Sequence, residues 1–249
     1  MQNKIAVYTC ITGGYDIIRK PVVINNNIDY ICFSDENIDV PFPWKLHLLS
    51  ESDICNKYDR KTLNRAIKIC PREFGYLLDY KQTIYIDGNI EICDDLSSLL
   101  QDVSQKDGDI FMYNHFGRDC LYKEALECLK IGHEWYWVIA KQIKDYKNVG
   151  FPVESGLYEC NIIVRKENNK LDLLLKSWFN EYLTKSKRDQ LSLTYVAWIH
   201  QHQIYSLGES DARFKHHHFK LHKHDNNRDN LKRKLKAKIN IILMKLMGV

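Results

Sequence analysis

Two apolar patterns alternate along the chain. Short runs rich in Val, Ile, Tyr and Thr occur at residues 5–11, 30–33, 83–86, 110–113, 157–165 and 204–206. Runs of that length and composition predict strands. Residues 44–49 alternate apolar and polar and predict an edge strand. Between these runs, apolar residues recur three and four apart over 59–69, 119–130, 135–146, 171–183 and 190–199, which predicts helices. Pro71 stops the first of them. A shorter helix through Leu100 opens at Asp94-Asp95, where acids favour a helix N-terminus. Strands alternating with helices predict an α/β domain with a mostly parallel central sheet flanked by helices. The pattern divides the chain into a domain at 1–208, a His-rich segment at 209–227 and a tail at 228–249. In the tail Leu231, Leu235, Ile239, Ile242 and Leu246 recur at helical spacing with lysines between them, which predicts a basic amphipathic helix suited to an anionic membrane surface.

Composition narrows the picture. Hydrophobic content of 45% and charged content of 27% suit a globular domain of 249 residues. The net charge of +4 is unevenly spread. Residues 211–249 carry eleven Lys or Arg against three Asp, or +8, which leaves −4 on residues 1–210. A basic tail on a mildly acidic body argues against a nucleic-acid binder, whose positive surface belongs on the folded domain. None of the eight cysteines forms a Cys-x-x-Cys pair, so they read as reduced thiols rather than a zinc site. The residues after Met1 lead straight into a strand without a secretory leader pattern, and no apolar run is long enough to span a bilayer. These features predict a cytoplasmic protein held peripherally on the inner face of the cell membrane.

The chemistry concentrates at strand ends. Thr83–Ile86 runs into Asp87, Gly88 and Asn89. In α/β proteins ligands bind beyond the carboxyl ends of strands, and two hard oxygen side chains there suit a divalent cation and a diphosphate. Asp-Gly between apolar runs is equally a strong hairpin signal, and the stretch alone does not separate the two. Thr12-Gly13-Gly14-Tyr15-Asp16 after the first strand suits a tight turn or a loop that approaches a nucleotide. Asp35 ends the second strand as a cap or as an acceptor for a base or ribose. Asn64, Arg65 and Lys68 share one helical face that could meet a diphosphate or simply face solvent. His216, His217 and His218, followed by His222 and His224, offer imidazoles that suit Mn²⁺ or Zn²⁺.

Taken in order, these pieces resemble a known family. The pieces are Tyr8-Thr9-Cys10-Ile11-Thr12-Gly13-Gly14-Tyr15-Asp16, Asn64-Arg65 with Lys68 and Pro71, Thr83 to Asn89, and His115 with Arg118-Asp119-Cys120 and Tyr122-x-Glu124-Ala125. Gly150-Phe151-Pro152, Gly156-Leu157 and Arg188-Asp189-Gln190-Leu191-Ser192 complete them. From about Val7 to His218 the chain resembles the glycosyltransferase-like domain family of bacterial capsule and plant mucilage proteins. That family in turn resembles the GT-A glycosyltransferases, which carry Asp-x-Asp at the corresponding strand end and an Asp-Gln downstream.

The resemblance implies a metal-dependent hexosyltransferase of surface polysaccharide synthesis. It would move sugar from a nucleotide diphosphate donor, a UDP-sugar above all, to a hydroxyl of a glycan or lipid-linked glycan. It implies Mn²⁺ or Mg²⁺ held by Asp87, Asn89, His216 and His218. It implies a catalytic set of Asp189, Gln190 and Glu154. Donor contacts fall to Thr9, Thr12, Gly13, Tyr15, Asp35, Asn64, Arg65, Lys68, Asp87 and Gly88, and acceptor contacts to His115, Arg118, Gly156 and Arg188. The departure is Asn89, an amide where those enzymes have a second carboxylate. It keeps open a non-catalytic nucleotide- or glycan-binding module of the same fold, and a metal-dependent hydrolase is the third reading.

Overall fold

The computed structural model describes residues 4–50, 52–224 and 231–247. In chain order the strands are β1 (Ile5–Ile11), β2 (Ile28–Ser34), β3 (Lys45–Leu48), β4 (Gln82–Ile86), β5 (Ile90–Ile92), β6 (Ile110–Asn114), β7 (Tyr158–Lys166), β8 (Tyr205–Ser206) and β9 (Phe219–Leu221). The helices are α1 (Asp53–Lys57), α2 (Arg60–Ile69), α3 (Ser97–Gln105), α4 (Leu121–Lys130), α5 (Tyr136–Asn148), α6 (Asn169–Thr184), α7 (Leu193–Ile199) and α8 (Leu231–Leu246). Seven strands form one sheet in the order β3-β2-β1-β4-β7-β6-β8. β7 alone runs against its neighbours, so the sheet is mostly parallel as the alternation predicts.

The sheet is buried on both faces, which is why its strands read as continuous apolar runs. Tyr8, Phe33, Tyr85 and Ile163 face a core built with α2 and α6, and Trp178 is fully buried within it. Val7, Ile84, Phe111 and Val164 face a second core that includes Leu99 and Val103 of α3. α2 starts where Asp59 accepts a hydrogen bond from the Thr62 amide (2.7 Å) and ends before Pro71. Arg165 of β7, wholly buried, donates to the Lys68 carbonyl (2.8 Å), and the Tyr8 hydroxyl donates to the same oxygen (3.1 Å). The last turn of α2 is thereby fixed to two strands.

Three differences from the sequence expectation bear on the site. Asp87–Asn89 is a turn, closed by Ile90 N–H on the Asp87 carbonyl (2.9 Å), yet it is not a hairpin. β4 pairs with β1 and β7, while β5 pairs with β9 in a separate two-stranded sheet. The helix expected over 190–199 is split into one turn at Asp189–Leu191 and α7. Ser192 breaks it, because its hydroxyl bonds back to the Asp189 carbonyl (3.2 Å) and competes with the helical ladder.

The tail is the third difference. Residues 228–230 and 248–249 lie outside the described residues, and α8 docks on α4 and α5 rather than standing apart. Its seat is polar. Asn240, fully buried, donates to the Leu129 and Glu134 carbonyls (3.1 and 2.8 Å) and accepts from the Tyr136 amide (2.9 Å). Gly132 makes the close approach possible, since a Cβ there would collide with the Arg233 carbonyl. Asn240→Ala should cost roughly 2–4 kcal/mol, because it removes the side-chain partner of the Glu134 carbonyl and the Tyr136 amide, while the Leu129 carbonyl keeps the Gly132 amide. Urea unfolding followed by circular dichroism measures this.

Candidate functional site

The carboxyl ends of β2, β1 and β4 lie side by side, and chain order reverses between β1 and β4. Such a reversal opens a crevice beyond the strand ends, where open α/β sheets bind ligands. Three of the sequence motifs meet along it. The glycine loop takes left-handed backbone at Gly13 and Gly14 (φ 62° and 58°). The Gly13 amide donates to Asp35 (2.8 Å), and Arg60 grips the other Asp35 oxygen (2.8 Å) as well as Glu36. The Thr12 hydroxyl donates to the Arg60 carbonyl (3.0 Å). Gly88 is a packing requirement, for a Cβ there would stand 3.0 Å from Ile11 and 3.1 Å from Asp16.

Behind Asp87 lies a buried ion network. The Lys68 ammonium, 2% exposed, sits 3.1 Å from Asp87 Oδ1 and 2.9 Å from Asp189 Oδ2. Arg65 Nε reaches the same Asp189 oxygen at 3.1 Å, and its guanidinium also donates to Asn64. Asn64 in turn donates to the Cys10 carbonyl (2.6 Å), which joins α2 to β1. The Tyr85 hydroxyl donates to Asp87 (2.8 Å), and Lys68 lies over the Tyr85 ring at 5.1 Å. Burial pushes the Asp189 carboxyl up, but Lys68, Arg65 and Arg188 outweigh burial and hold it well below the ordinary carboxylate range. Asp189 is therefore an ionised, buried counter-ion. Of the two carboxylates on Lys68, only Asp87 opens to the crevice, with its side chain 29% exposed.

A second arm extends toward α4. Glu124, almost fully buried, pairs with Arg118 (2.5 Å) and Arg188 (3.7 Å). His115 Nδ1 accepts from the Gly117 and Arg118 amides (3.1 Å each), and burial and Arg118 push its pKa down. Gln190 donates to the Tyr158 carbonyl (3.3 Å) and accepts from Arg188 (3.3 Å). The four cations Arg65, Lys68, Arg118 and Arg188 face three carboxylates, Asp87, Asp189 and Glu124. That excess positive charge suits an anionic ligand.

Several expected site residues stand elsewhere. Thr9 is buried inside β1, its hydroxyl without a hydrogen-bond partner among the described residues, and is a core position. Glu154 is exposed in the loop before β7, outside the ion network. Gly156 occupies that loop with φ 70°, a backbone requirement.

The four expected metal ligands do not converge. The Asn89 amide donates to the His222 carbonyl (2.7 Å), and the Asn89 carbonyl accepts from the His222 amide (2.9 Å). Asn89 is thus a staple between the Asp87 turn and β9, a donor role that a carboxylate could not fill. His218 lies opposite Cys93, whose amide donates to its carbonyl (2.8 Å). That is four strand residues, about 13 Å, from Asn89. His218 Nε2 meets Ser98 of α3 (2.8 Å) and lines a separate cleft of about 250 Å³ with His217, Asp102 and Lys215. His216 precedes it as an exposed turn residue at φ 52°. Among the described residues no three His, Cys, Asp or Glu side chains converge, so protein side chains alone build no closed metal site.

The histidine that does reach the crevice is His224. Its Nδ1 lies 2.9 Å from Asp16, and the half-exposed Tyr15 ring rests against it at 4.9 Å. Its position follows from the β5–β9 pairing, which carries residues 222–224 back past Asn89; no local pattern announces it. Arg60 and Glu124 were also unassigned. Glu124 sits in the Tyr122-x-Glu124-Ala125 motif, but its bond to Arg188 spans 64 residues and has no signature in the sequence.

Residues 76–225 match the family described as TOD1/MUCI70, glycosyltransferase-like domain. No curated protein matches the chain. Among solved structures, mouse xyloside xylosyltransferase 1 in its apo form is similar at 9% identity and a TM-score of 0.48, over 82% of this chain and 84% of that one. The mannosyltransferase Ktr4p from S. cerevisiae is similar at 9% identity and a TM-score of 0.46, over 83% of this chain and 69% of that one.

Two outcomes follow from the electrostatics. Asp189→Asn removes the shared counter-ion of Lys68 and Arg65 and should cost about 3–5 kcal/mol. In the same urea titration, Lys68→Met with Asp189→Leu should recover only the part of that loss that belongs to the Lys68 pair, since Arg65 stays without its counter-ion. His133 is pushed down to about 3 by burial, Arg188, Arg233 and Lys61. Below about pH 6.5 the unfolded chain takes up a proton that the folded chain does not, so stability falls as pH drops through that window. His133→Gln should flatten the slope of melting temperature against pH between about 6.5 and 4.

Proposed function

The chain belongs to the TOD1/MUCI70 glycosyltransferase-like family, and from that membership we propose that it moves a sugar from a nucleoside diphosphate donor to a hydroxyl of a glycan acceptor. A UDP-sugar is the donor proposed. One observation carries the reading: a buried lysine holds two carboxylates at the crevice between β1 and β4, with arginines around it.

The residues divide the work as follows. Breaking the bond to the anomeric carbon leaves negative charge on the departing diphosphate. Fixed cations in a partly desolvated site stabilise such charge without reorganising during the reaction. Arg65, 22% exposed and paired to Asp189, is the proposed contact for the diphosphate. Lys68 is too buried to touch it and acts as a positioning residue, neutralising Asp87 and Asp189 so that an anionic donor is not repelled. Gly13 and Gly14 let the β1 loop pass close to the nucleotide, and Asp35, fixed by Gly13 and Arg60, is the candidate acceptor for ribose or base. Asp189 does not serve as a general base, since an ion-paired carboxylate far below its ordinary pKa has little proton affinity. Arg118, Arg188 and His115 form the acceptor side of the proposal.

Asp87 is the one expected metal ligand with a carboxylate open to the crevice. The proposed Mn²⁺ or Mg²⁺ would be held there by this one carboxylate together with the donor's phosphates and water, and would supply further neutralisation of the diphosphate. Asn89 loses its weight as a sign of an inert relative, because its amide is engaged as a structural staple.

The test is release of nucleoside diphosphate from a panel of nucleotide sugars, with glycan acceptors present and products identified by mass spectrometry. Wild type should turn over at least one donor. Arg65→Met should lower kcat by about 10²–10³, and Asp87→Ala should abolish any dependence on added Mn²⁺. Failure of every donor with every acceptor class would overturn the proposal.

A further inference from the structure

α8 presents two faces to two environments. The inner face docks through Arg233, Lys236, Asn240 and Met244. Arg233 donates to the Ile131 carbonyl (2.9 Å), Lys236 lies 3.6 Å from Glu134, and Met244 enters the core between α4 and α5. The apolar stripe expected from the sequence is not the docking face. Leu231, Leu235, Ile242 and Leu246 are 81%, 59%, 58% and 76% exposed. At 100° per residue these four and Ile239 fall within an arc of about 80°, roughly opposite Asn240. Lys234, Lys238 and Lys245 border the arc on one side and Lys232 on the other. Between Leu231 and Leu246 the helix carries six Lys or Arg and no acid. Along the Lys236 side, Trp135 and Trp137 stack at 4.8 Å, Lys236 caps Trp135 at 5.2 Å, and Trp137 is half-exposed.

Each feature selects among occupants. An exposed leucine stripe with lysines on both edges and indoles at its flank matches an interfacial helix, whose apolar face enters the headgroup boundary while its lysines meet anionic lipid. A second copy packed on the same stripe would bring Lys232, Lys234, Lys238 and Lys245 of both helices to one seam, and neither helix carries an acid between Leu231 and Leu246. A nucleic acid would call for cations, not leucines, at the centre of the surface. We propose that the outer face of α8 docks this protein on an anionic lipid bilayer, with the Leu231–Leu246 stripe in the interface and the flanking lysines on the headgroups. This follows from the geometry of α8 and does not depend on the transferase reading. The helix is also held rigidly to α4, which carries Glu124, so a docked protein would keep its crevice at a set orientation to the membrane.

The experiment is co-sedimentation of the full chain with vesicles of phosphatidylcholine alone or mixed with phosphatidylglycerol, at two salt concentrations. Wild type should bind the anionic vesicles, lose binding in high salt, and show a blue shift of tryptophan fluorescence. Leu235→Ser with Ile242→Ser should weaken binding by about tenfold or more. Lys238→Gln with Lys245→Gln should weaken it by about fivefold per lysine. Both variants change exposed positions and should melt with wild type, which separates lost docking from lost folding. Equal binding to neutral vesicles, or unchanged binding by both variants, would overturn the proposal. So would a concentration-dependent dimer that the Ser variant dissolves, which would give the stripe to a second copy.

Discussion

A lysine ammonium buried to 2% exposure must be paired, and the site is built on that constraint. Lys68 is paired twice, to Asp87 at 3.1 Å and to Asp189 at 2.9 Å. Asp87 ends β4, and Asp189 opens the turn before α7. The ammonium between them therefore fixes where two chain segments a hundred residues apart meet. The positions of Tyr85, Arg65 and Arg188 follow from serving the same charges. The arrangement is costly to disturb from any one side, since each buried charge depends on the others.

The surrounding fold keeps that lysine in place. Its own carbonyl is held by Tyr8 of β1 and by Arg165 of β7, so backbone and side chain of one residue are fixed independently. Trp178 of α6 donates to the Asp189 carbonyl (2.9 Å), fixing the other end. The small β5–β9 sheet brings residues 222–224 back to the crevice past Asn89. The crevice thus has a rigid floor of strand ends and a rim supplied by the glycine loop, the Asp87 turn and residues 222–224.

Much of this was legible in the sequence. Strands in a doubly covered sheet must be apolar throughout, and β1, β2, β4, β6 and β7 announced themselves in that way. Arg65, Lys68 and Asp87 were marked as candidates from their types and positions, and Arg188 with Asp189 through the family resemblance; the structure brings them into one ion network. What escaped was whatever depends on long-range pairing. β5 and β9 are three residues each, too short for a period to show. Their pairing decides that His224 reaches the rim and that His216 and His218 do not. The helical period of the tail was legible, but its seat on α4 and α5 was not, because one buried amide at Asn240 holds α8 while its leucines stay outside. A hydrophobic pattern predicts burial only where a partner surface exists, and here the partner on α4 and α5 is polar at its centre.

The most direct test of the central claim is a crystal structure of the protein with a nucleoside diphosphate. The account predicts the diphosphate in the crevice between the Gly13–Gly14 loop and Asp87, in contact with Arg65, with the Lys68 pairs to Asp87 and Asp189 intact. A diphosphate bound instead in the cleft beside His218, or none bound at millimolar nucleotide, would contradict it.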